Sequence, residues 1–574
     1  MRGSGGPIEN SKLDASEQFS ANASGSMESI SKDDAAWILS NAFLILTMQG
    51  GFALLEAGSV SAKNVANIMI KNVVDVSLGG ITYWALGYGL SFGEPNTPFF
   101  GYGTFFVTSQ GSDLHKQGSL YAKYVFHFSF ATASTTIVSG AVAERMKLNG
   151  YMVFSLLNTL VYCLPACWVW SDQGFLGQLG FYDFAGAGVV HITGGASALV
   201  AAYMLGPRSG YFEKKAKKSA GSDACSLSSP LTALTGTFIL WWAWLGFNCG
   251  SSFGIDRGLW KVSTKVAVTT LNGSIGGGVA AIAASHLVYK GKYDVLYIIT
   301  GVLGGLVSVT GGCAVFSPAE SLFVGALGSL IAILGIYALD RLHVDDPVGA
   351  APIHLLAASW AILSVGLFGK DDFGFLTTTG GGLFHSGRVT LLGTQALGTV
   401  ILICWSGTFT FLIFSGLRQL DLLRMSPEEE RLGADWFEHR IRGLNVASKF
   451  EDSLKQVAVD PQEMERLIAK AAAYFSQSIS TVGVDDTHAV VDGWLTSVSR
   501  AGTPAAMALN GLRNGHTARG KKVKKAKVAA SDVPRKTRPN STDTEGARPA
   551  SANAGVFLVP ENLEASDAGT LEDI

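Results

Sequence analysis

Residues 183–191 read Asp-Phe-Ala-Gly-Ala-Gly-Val-Val-His, and residues 346–354 read Asp-Pro-Val-Gly-Ala-Ala-Pro-Ile-His. Each stretch places a histidine eight positions after an acid, and the seven residues between them are small or apolar. Asp183 and Asp346 each stand where a long apolar segment begins, so His191 and His354 fall inside those segments. The matching stretches predict an internal repeat.

Apolar segments of bilayer-spanning length follow one another from residue 35 to about residue 420. A transmembrane helix needs about 20 mostly apolar residues. We predict an all-α polytopic membrane protein with eleven transmembrane helices, at about 35–58, 72–93, 119–143, 150–170, 184–205, 230–250, 263–289, 295–316, 319–339, 348–368 and 390–417. The two matching stretches open the fifth and tenth spans, which cross in opposite directions. This is typical of an inverted 5+5 repeat, here with one further helix.

The composition also indicates a membrane protein. Of the 574 residues, 48% are hydrophobic and 15% are charged, and the mean hydropathy is +0.29, whereas a soluble domain carries about 25% charged residues. An ordinary soluble enzyme, a coiled coil and a disordered protein are thereby excluded. The six cysteines show no CxxC and no zinc-ligand spacing, and no HExxH or P-loop motif occurs. We therefore predict no metal, no cofactor and no enzymatic activity.

The alternate loops between the spans differ in their basic residues. One set contains 12 Lys and Arg residues, with Arg208 and Lys215 in its most basic loop, and the other contains seven. Because cytoplasmic loops are enriched in Lys and Arg, the first set is predicted to be cytoplasmic. The N-terminus is then extracellular and the C-terminus cytoplasmic, in the plasma membrane of the cell, since no transit peptide precedes the first span.

The chain is predicted to comprise four regions. They are a polar extracellular segment at 1–34, the transmembrane domain at 35–420, a cytoplasmic, partly helical region at 421–512 and a disordered tail at 513–574, basic and then acidic. Two interpretations of the basic run stay open: attraction to anionic membrane lipid and a solvated disordered tail. The net charge of −2 gives no indication of nucleic-acid binding.

Histidine is costly in hydrocarbon unless it faces a partner or a cavity, so His191 and His354 are functional candidates. The two acids have two interpretations. A carboxylate at the start of a helix is stabilised by free backbone N–H groups and by the helix dipole, so Asp183 and Asp346 could be structural caps. Alternatively, Asp183, which is predicted to lie on the outer side, contributes negative potential for a substrate. The sequence leaves both interpretations open.

Six motifs, in this order and spacing, resemble the ammonium transporter (Amt/Mep/Rh) family, and within it the Amt branch and a eukaryotic-type member with a long C-terminal tail. The motifs are 51–65 (GFALLEAGSVSAKNV), 140–145 (GAVAER), 183–191 (DFAGAGVVH), 244–251 (WLGFNCGS), 345–354 (DDPVGAAPIH) and 405–407 (WSG). The resemblance implies transport of ammonium or ammonia, and of methylammonium, by a homotrimer with one pore in each subunit.

The resemblance also implies roles for single residues. An outer cation site would consist of Phe130, Trp170 and Ser251, and a gate of two stacked rings would consist of Phe130 and Phe247. His191 and His354 would be twin pore histidines that relay a proton. Asp183, Asp346 and Trp244 would have structural or electrostatic roles. The chain departs from the family after the second histidine, where Leu355 and Ala358 replace a glycine-rich pattern and need room from a neighbouring helix.

Three functions stay open at this level. An electrogenic transporter would deprotonate ammonium near the aromatic gate, conduct ammonia past the histidines and pass the proton along them. An electroneutral channel would conduct ammonia and leave the proton outside. An ammonium sensor or transceptor would signal through its long tail, with a cytoplasmic partner that is unknown.

Overall fold

The structure is a computed structural model that describes residues 30–108, 113–217, 227–376 and 378–441. All of these residues belong to one compact unit of the chain, Met1–Val459. Most of the predicted extracellular segment, the region 442–512 and the tail 513–574 lie outside the described residues. Within the described residues the fold is helical, and β-structure is limited to two isolated bridges.

The long helical segments of the described residues are numbered α1 to α11. Their bounds are α1 Lys32–Ser59, α2 65–92, α3 Leu114–Ala141, α4 Leu148–Trp170, α5 Ala187–Leu205, α6 Pro230–Gly250, α7 Leu259–Val288, α8 Val295–Thr310, α9 Pro318–Arg341, α10 Pro352–Phe368 and α11 Thr390–Gln419. Three of these segments contain π-helical turns, namely Asp75–Gly79 and Tyr83–Gly87 in α2, Ala187–Ile192 in α5 and Pro352–Leu356 in α10.

Seven helices of the described residues are long and apolar enough to cross a membrane, and α8 and α10 are shorter apolar helices. The largest differences from the predicted boundaries are at two segments. The second begins at Val65 rather than at residue 72, because the Asp435 carboxylate accepts from the N–H groups of Ala66 and Asn67 and stabilises the first turn. The eighth ends at Thr310 rather than at residue 316, where Gly311 and Gly312 follow the helix, since glycine is common where a helix ends.

Small residues let α1 and α6 pack closely along their lengths. A Cβ placed on Gly58 would lie 2.4 Å from the backbone nitrogen of Ala233, and one on Gly236 would lie 2.3 Å from that of Leu55. No side chain fits at either position. Close backbone contact through small residues is the usual way in which helices associate in membranes.

A charged cluster joins the loops on the face that is predicted to be cytoplasmic. Arg208 pairs with Glu144 and, at 2.8 Å, with Asp345. Burial alone would raise the pKa of both carboxyls, but the charge and hydrogen bonds of Arg208 hold the pKa of each below its usual value. Since both carboxylates are largely buried, the guanidinium provides the charge compensation that they need.

The segment after α11 packs on the same face. A short helix, Pro427–Leu432, begins at Ser426 with a reciprocal capping box, as the Pro-Glu-Glu-Glu pattern predicts. Farther on, the Asp435 carboxylate accepts hydrogen bonds from the N–H groups of Ala66 and Asn67 at 3.1 and 2.8 Å. This C-terminal segment therefore caps the start of α2.

Candidate functional site: an aromatic pair above two histidines

Two phenylalanine rings from different helices stack in the interior of the bundle. The ring centroids of Phe130 in α3 and Phe247 in α6 lie 4.0 Å apart, with 8° between the planes. Both side chains are buried. Trp170, the last residue of α4, meets Phe130 edge-on at 5.9 Å. The stacked rings lie between Trp170, which contacts Phe130, and His191, which contacts Phe247 at 5.6 Å.

Ser251 follows α6 one helical turn after Phe247. Its hydroxyl donates to the Phe247 carbonyl oxygen at 2.8 Å, so its only proton is engaged and its oxygen remains an acceptor. Trp170 is fixed by its indole N–H, which donates to the backbone oxygen of Asp183 at 2.8 Å. These contacts orient two of the three residues that the sequence predicts for a cation site.

The two histidines contact each other. His191 and His354 lie with their Nδ1 atoms 3.1 Å apart and their ring centroids 5.1 Å apart. Both are buried, and each lies on a π-helical turn, Ala187–Ile192 and Pro352–Leu356. π-Helical turns occur often at functional sites. Because a neutral imidazole has one donor and one acceptor nitrogen, one Nδ1 donates to the other and the two rings hold opposite tautomers.

Aromatic rings enclose His191 on the side of the gate. Trp244 stacks on it at 5.2 Å and 17°, and Phe247 lies 5.6 Å away. The Trp244 indole N–H donates to the Thr310 hydroxyl at 2.9 Å, which fixes the ring. The Nε2 atom of His191 has no partner within the described residues. His191 therefore lies among aromatic rings with one imidazole nitrogen free to bind a further hydrogen-bond partner.

The Asp183 carboxylate caps the π-helical turn that carries His191. It accepts four backbone hydrogen bonds of 2.8–3.0 Å, from Gly186, Ala187, Gly188 and Val189. Asp346 accepts one, from Ala351 at 2.8 Å. Both contacts are those of a helix cap and support the structural interpretation of the two acids.

A glycine on the facing helix lets the backbone around Leu355 approach closely. A Cβ on Gly195 in α5 would lie 2.4 Å from the backbone of both His354 and Leu355. Leu355 and Ala358 themselves are buried. The close approach that a glycine after His354 would permit is thus achieved by a glycine on the opposite side of the contact.

Sequence reasoning missed several residues that adjoin this site. His127 packs between Phe92 at 3.9 Å and Phe253 at 5.2 Å, and it lies 6.2 Å from Trp170. Phe52 faces His354 at 6.1 Å. The position of His127, three residues before Phe130 and so on nearly the same face of a helix, is the signal in the sequence that indicates it.

Three buried ionisable residues near the site were missed as well: Glu56, Lys71 and Asp75. A charged residue within an apolar span is unusual enough to be a functional candidate by itself. That signal was present for Glu56 and Asp75.

Among the described residues there is no group of three or more His, Cys, Asp or Glu side chains that could hold a metal ion.

Comparison with known proteins gives the family. The model of the Ammonium Transporter Family matches residues 36–443. Putative ammonium transporter 3 of Caenorhabditis elegans is 41% identical over 462 residues, which cover 78% of this chain and 66% of that relative. Ammonium transporter 3 of Dictyostelium discoideum is 33% identical over 437 residues, 74% of this chain and 98% of the relative. The chain belongs to the ammonium transporter family.

Solved structures agree with this assignment. A structure named Sensor Amt Protein matches with a TM-score of 0.64 and 30% identity over 71% of this chain and 98% of that one. Mep2 of Candida albicans matches with a TM-score of 0.63 and 25% identity over 70% and 88%, respectively. The family is one of transporters, which confirms the prediction that the chain is not an enzyme. Family membership and the several apolar helices together identify the chain as a multi-pass membrane protein.

Proposed function

We propose that the chain transports ammonium across a membrane, with one net charge moved for each molecule. The observation that carries this proposal is the stacked pair Phe130 and Phe247 next to the hydrogen-bonded pair His191 and His354. A ring pair can exclude a hydrated cation, and paired imidazoles can accept and donate protons beyond it. Methylammonium, which also offers N–H donors, is a second expected substrate.

Recruitment of the cation begins at Phe130, Trp170 and Ser251. An ammonium ion next to the two aromatic faces gains cation–π attraction of about 0.5–2 kcal/mol. The Ser251 oxygen can accept one N–H hydrogen bond, because its own proton is engaged by the Phe247 carbonyl. Potassium has a similar size but no hydrogen to donate, so this bond favours ammonium over potassium.

Deprotonation follows at the aromatic gate. A bare cation in the apolar channel beyond it would be unfavourable by several kcal/mol, whereas neutral ammonia would not be. Ammonia therefore passes along His191 and His354, and the proton that ammonium releases moves to Nε2 of His191, the nitrogen without a partner among the described residues. With opposite tautomers, the two rings can pass one proton from His191 to His354 across their Nδ1 contact.

The test is ammonium-evoked current under voltage clamp in a heterologous cell at two external pH values. The wild type is compared with His191→Ala and Ser251→Ala. The matched controls are His286→Ala, at an exposed position, and Ser415→Ala, whose hydroxyl also donates to a carbonyl four residues back. We expect a saturable inward current that follows ammonium and falls by about tenfold or more in both site variants. Control variants should retain it.

Other results distinguish the alternatives. Internal alkalinisation by ammonia without current would indicate an electroneutral channel. Silence in both measurements, from protein at the cell surface, would favour an ammonium sensor that signals through the tail. The similarity to a structure named Sensor Amt Protein is the observation that supports that second candidate.

The proposal includes the arrangement in the membrane. We infer eleven spans in an inverted 5+5 repeat plus one helix, with residues 35–420 as the transport domain, an extracellular N-terminus and a cytoplasmic C-terminus in the plasma membrane. Two observations support the repeat: the fifth and tenth segments both carry their histidine on a π-helical turn, and α1 and α6, the first helix of each half, pack against each other. We further infer that the protein is a homotrimer surrounded by lipid. Outside the transport domain we infer a polar extracellular segment at 1–34, a cytoplasmic region at 421–512 and a tail at 513–574.

A further inference from the structure

Three ionisable side chains that the transport mechanism does not use are buried between α1 and α2: Glu56 in α1, and Lys71 and Asp75 in α2. We name them, with the hydroxyl groups of Ser139 and Tyr151, the buried acid cluster. Their exposed fractions are 2% for Glu56 and 0% for both Lys71 and Asp75. Ionisable residues inside membrane bundles commonly mark ion pathways or proton relays.

Hydroxyl groups contact both carboxyls of the buried acid cluster. Glu56 accepts from the Ser139 hydroxyl at 2.5 Å, and Asp75 accepts from the Tyr151 hydroxyl at 2.6 Å. The Thr136 hydroxyl, one turn before Ser139 on α3, also donates to Asp75, at 3.2 Å. The two carboxyls thus adjoin the same stretch of α3, and each has a hydroxyl partner that can accept and donate a proton.

Lys71 does not form a contact ion pair with either carboxyl. Its ammonium donates to the Met146 carbonyl oxygen at 3.1 Å, and within the described residues its side chain is in no salt bridge. With both acids ionised and Lys71 protonated, the cluster carries a formal charge of −1. One proton shared by the two carboxyls makes it neutral, which is the favourable state for a buried site.

The cluster lies between the histidines and the charged loops. Phe52 faces His354 at 6.1 Å, and Glu56 is one helical turn farther along α1. At the other end, Met146, which accepts from Lys71, forms a bridge with Arg424 in the C-terminal segment. Asp75 begins a π-helical turn, as the pore histidines lie on such turns.

We propose that the buried acid cluster takes up the proton that ammonium releases and delivers it to the cytoplasmic face, while ammonia leaves through the pore. The inference rests on the proposed electrogenic transport. An N–H bond of ammonium breaks, a proton leaves the histidine pair for Glu56, and a proton leaves Asp75 for cytoplasmic water; no electrons are exchanged. Four residues, roughly 6 Å of rise, separate Phe52 from Glu56, so the proton reaches Glu56 from His354 through water molecules.

The experiment records ammonium-evoked current and internal pH in the same cells that express the full chain. The variants are Asp75→Asn and Glu56→Gln, and Tyr151→Phe is the milder change, which removes one hydroxyl and keeps both acids. Asp340→Asn, which removes a carboxylate from a partly exposed pair with Lys215, is the matched control. Surface labelling measures the amount of each variant at the membrane.

We expect the current per surface molecule to fall by about tenfold or more in Asp75→Asn and Glu56→Gln, and by less in Tyr151→Phe. Internal alkalinisation on ammonium addition should be larger in Asp75→Asn and Glu56→Gln than in the wild type, because ammonia then enters without its proton and takes one up in the cytoplasm. Current equal to that of Asp340→Asn, or a loss of current without increased alkalinisation, would overturn the inference. A wild type without current would overturn the electrogenic transport itself, whereas a wild-type current that Asp75→Asn leaves intact overturns only the relay.

Discussion

The two histidine-bearing turns have the same sequence spacing but are held in different ways. At the first turn, the Asp183 carboxylate accepts four backbone hydrogen bonds through both of its oxygens. At the second, Asp346 accepts one through Oδ2, and its Oδ1 atom has no partner within the described residues. The loop before the second turn is held instead by Asp345, which pairs with Arg208. Equal spacing therefore places the histidines, while their anchors differ.

The largest effect is expected from removal of the first anchor. Asp183→Ala would leave four buried N–H groups without an acceptor, at about 1–3 kcal/mol for each unsatisfied group. Asp346→Ala, the matched change at the second turn, removes one such acceptor. We expect Asp183→Ala to lower the free energy of unfolding by several kcal/mol, and Asp346→Ala to lower it by about 1–3 kcal/mol, the cost of a single unsatisfied group. Thermal unfolding of the detergent-purified protein measures both, and equal losses would show that the two anchors do not differ.

Arg208→Gln should have the next largest effect. It leaves Glu144 and Asp345 as buried, uncompensated carboxylates, and loss of one partner from a buried ion pair costs about 3–5 kcal/mol. The control is Arg341→Gln, at an exposed position. Unfolding in the same detergent gives the comparison. A loss no greater than that of the control would mean that Arg208 does not anchor the second turn.

Gly195→Ala tests the contact where the two turns meet. Its methyl group would lie 2.4 Å from the backbone of His354 and Leu355, so the helices must separate. Overpacking of this kind costs about 1–3 kcal/mol, and we expect transport to fall with it because His354 moves away from His191. Gly416→Ala in α11, where the methyl group meets no atom within 4 Å, is the control. Equal transport in the two variants would contradict the account.

The smallest effect is a dependence of the Arg208 contribution on pH. The pKa values of Glu144 and Asp345 are lowered in the folded protein, so the stabilisation is complete above their usual values near 4 and is lost as pH falls through the lower folded values. The difference in melting temperature between the wild type and Arg208→Gln should therefore be constant from about pH 7 to 5 and shrink below about pH 4. A difference that grows on acidification would have the wrong sign.

The sequence was sufficient to predict an all-helical, multi-pass membrane protein and the neighbourhood of the two histidines. Hydropathy located the apolar segments, and the repeated acid–histidine spacing singled out His191 and His354. In the structure the Nδ1 atoms of these two histidines lie 3.1 Å apart. Segment ends were less predictable, because a helix end such as Thr310 depends on local turn geometry. Spacing also does not reveal which atoms a carboxylate contacts, so capping by Asp183 stayed one of two interpretations.

Contacts between distant segments could not be deduced from the sequence. The residues after His354 need room from a neighbouring helix, and only the fold shows that Gly195 in α5 permits the close approach there. Glu56 and Asp75 are 19 positions apart, and the hydroxyls that donate to them, those of Ser139 and Tyr151, come from two further helices. Only the folded bundle shows such neighbours.

The most direct test of the central claim is the number of charges moved per substrate molecule. Purified protein in proteoliposomes would be given labelled methylammonium, with its uptake and the accompanying current measured on the same preparation. The account predicts a ratio of about one charge for each molecule, lost when His191 and His354 are replaced. Uptake through the wild type with no accompanying charge would contradict it.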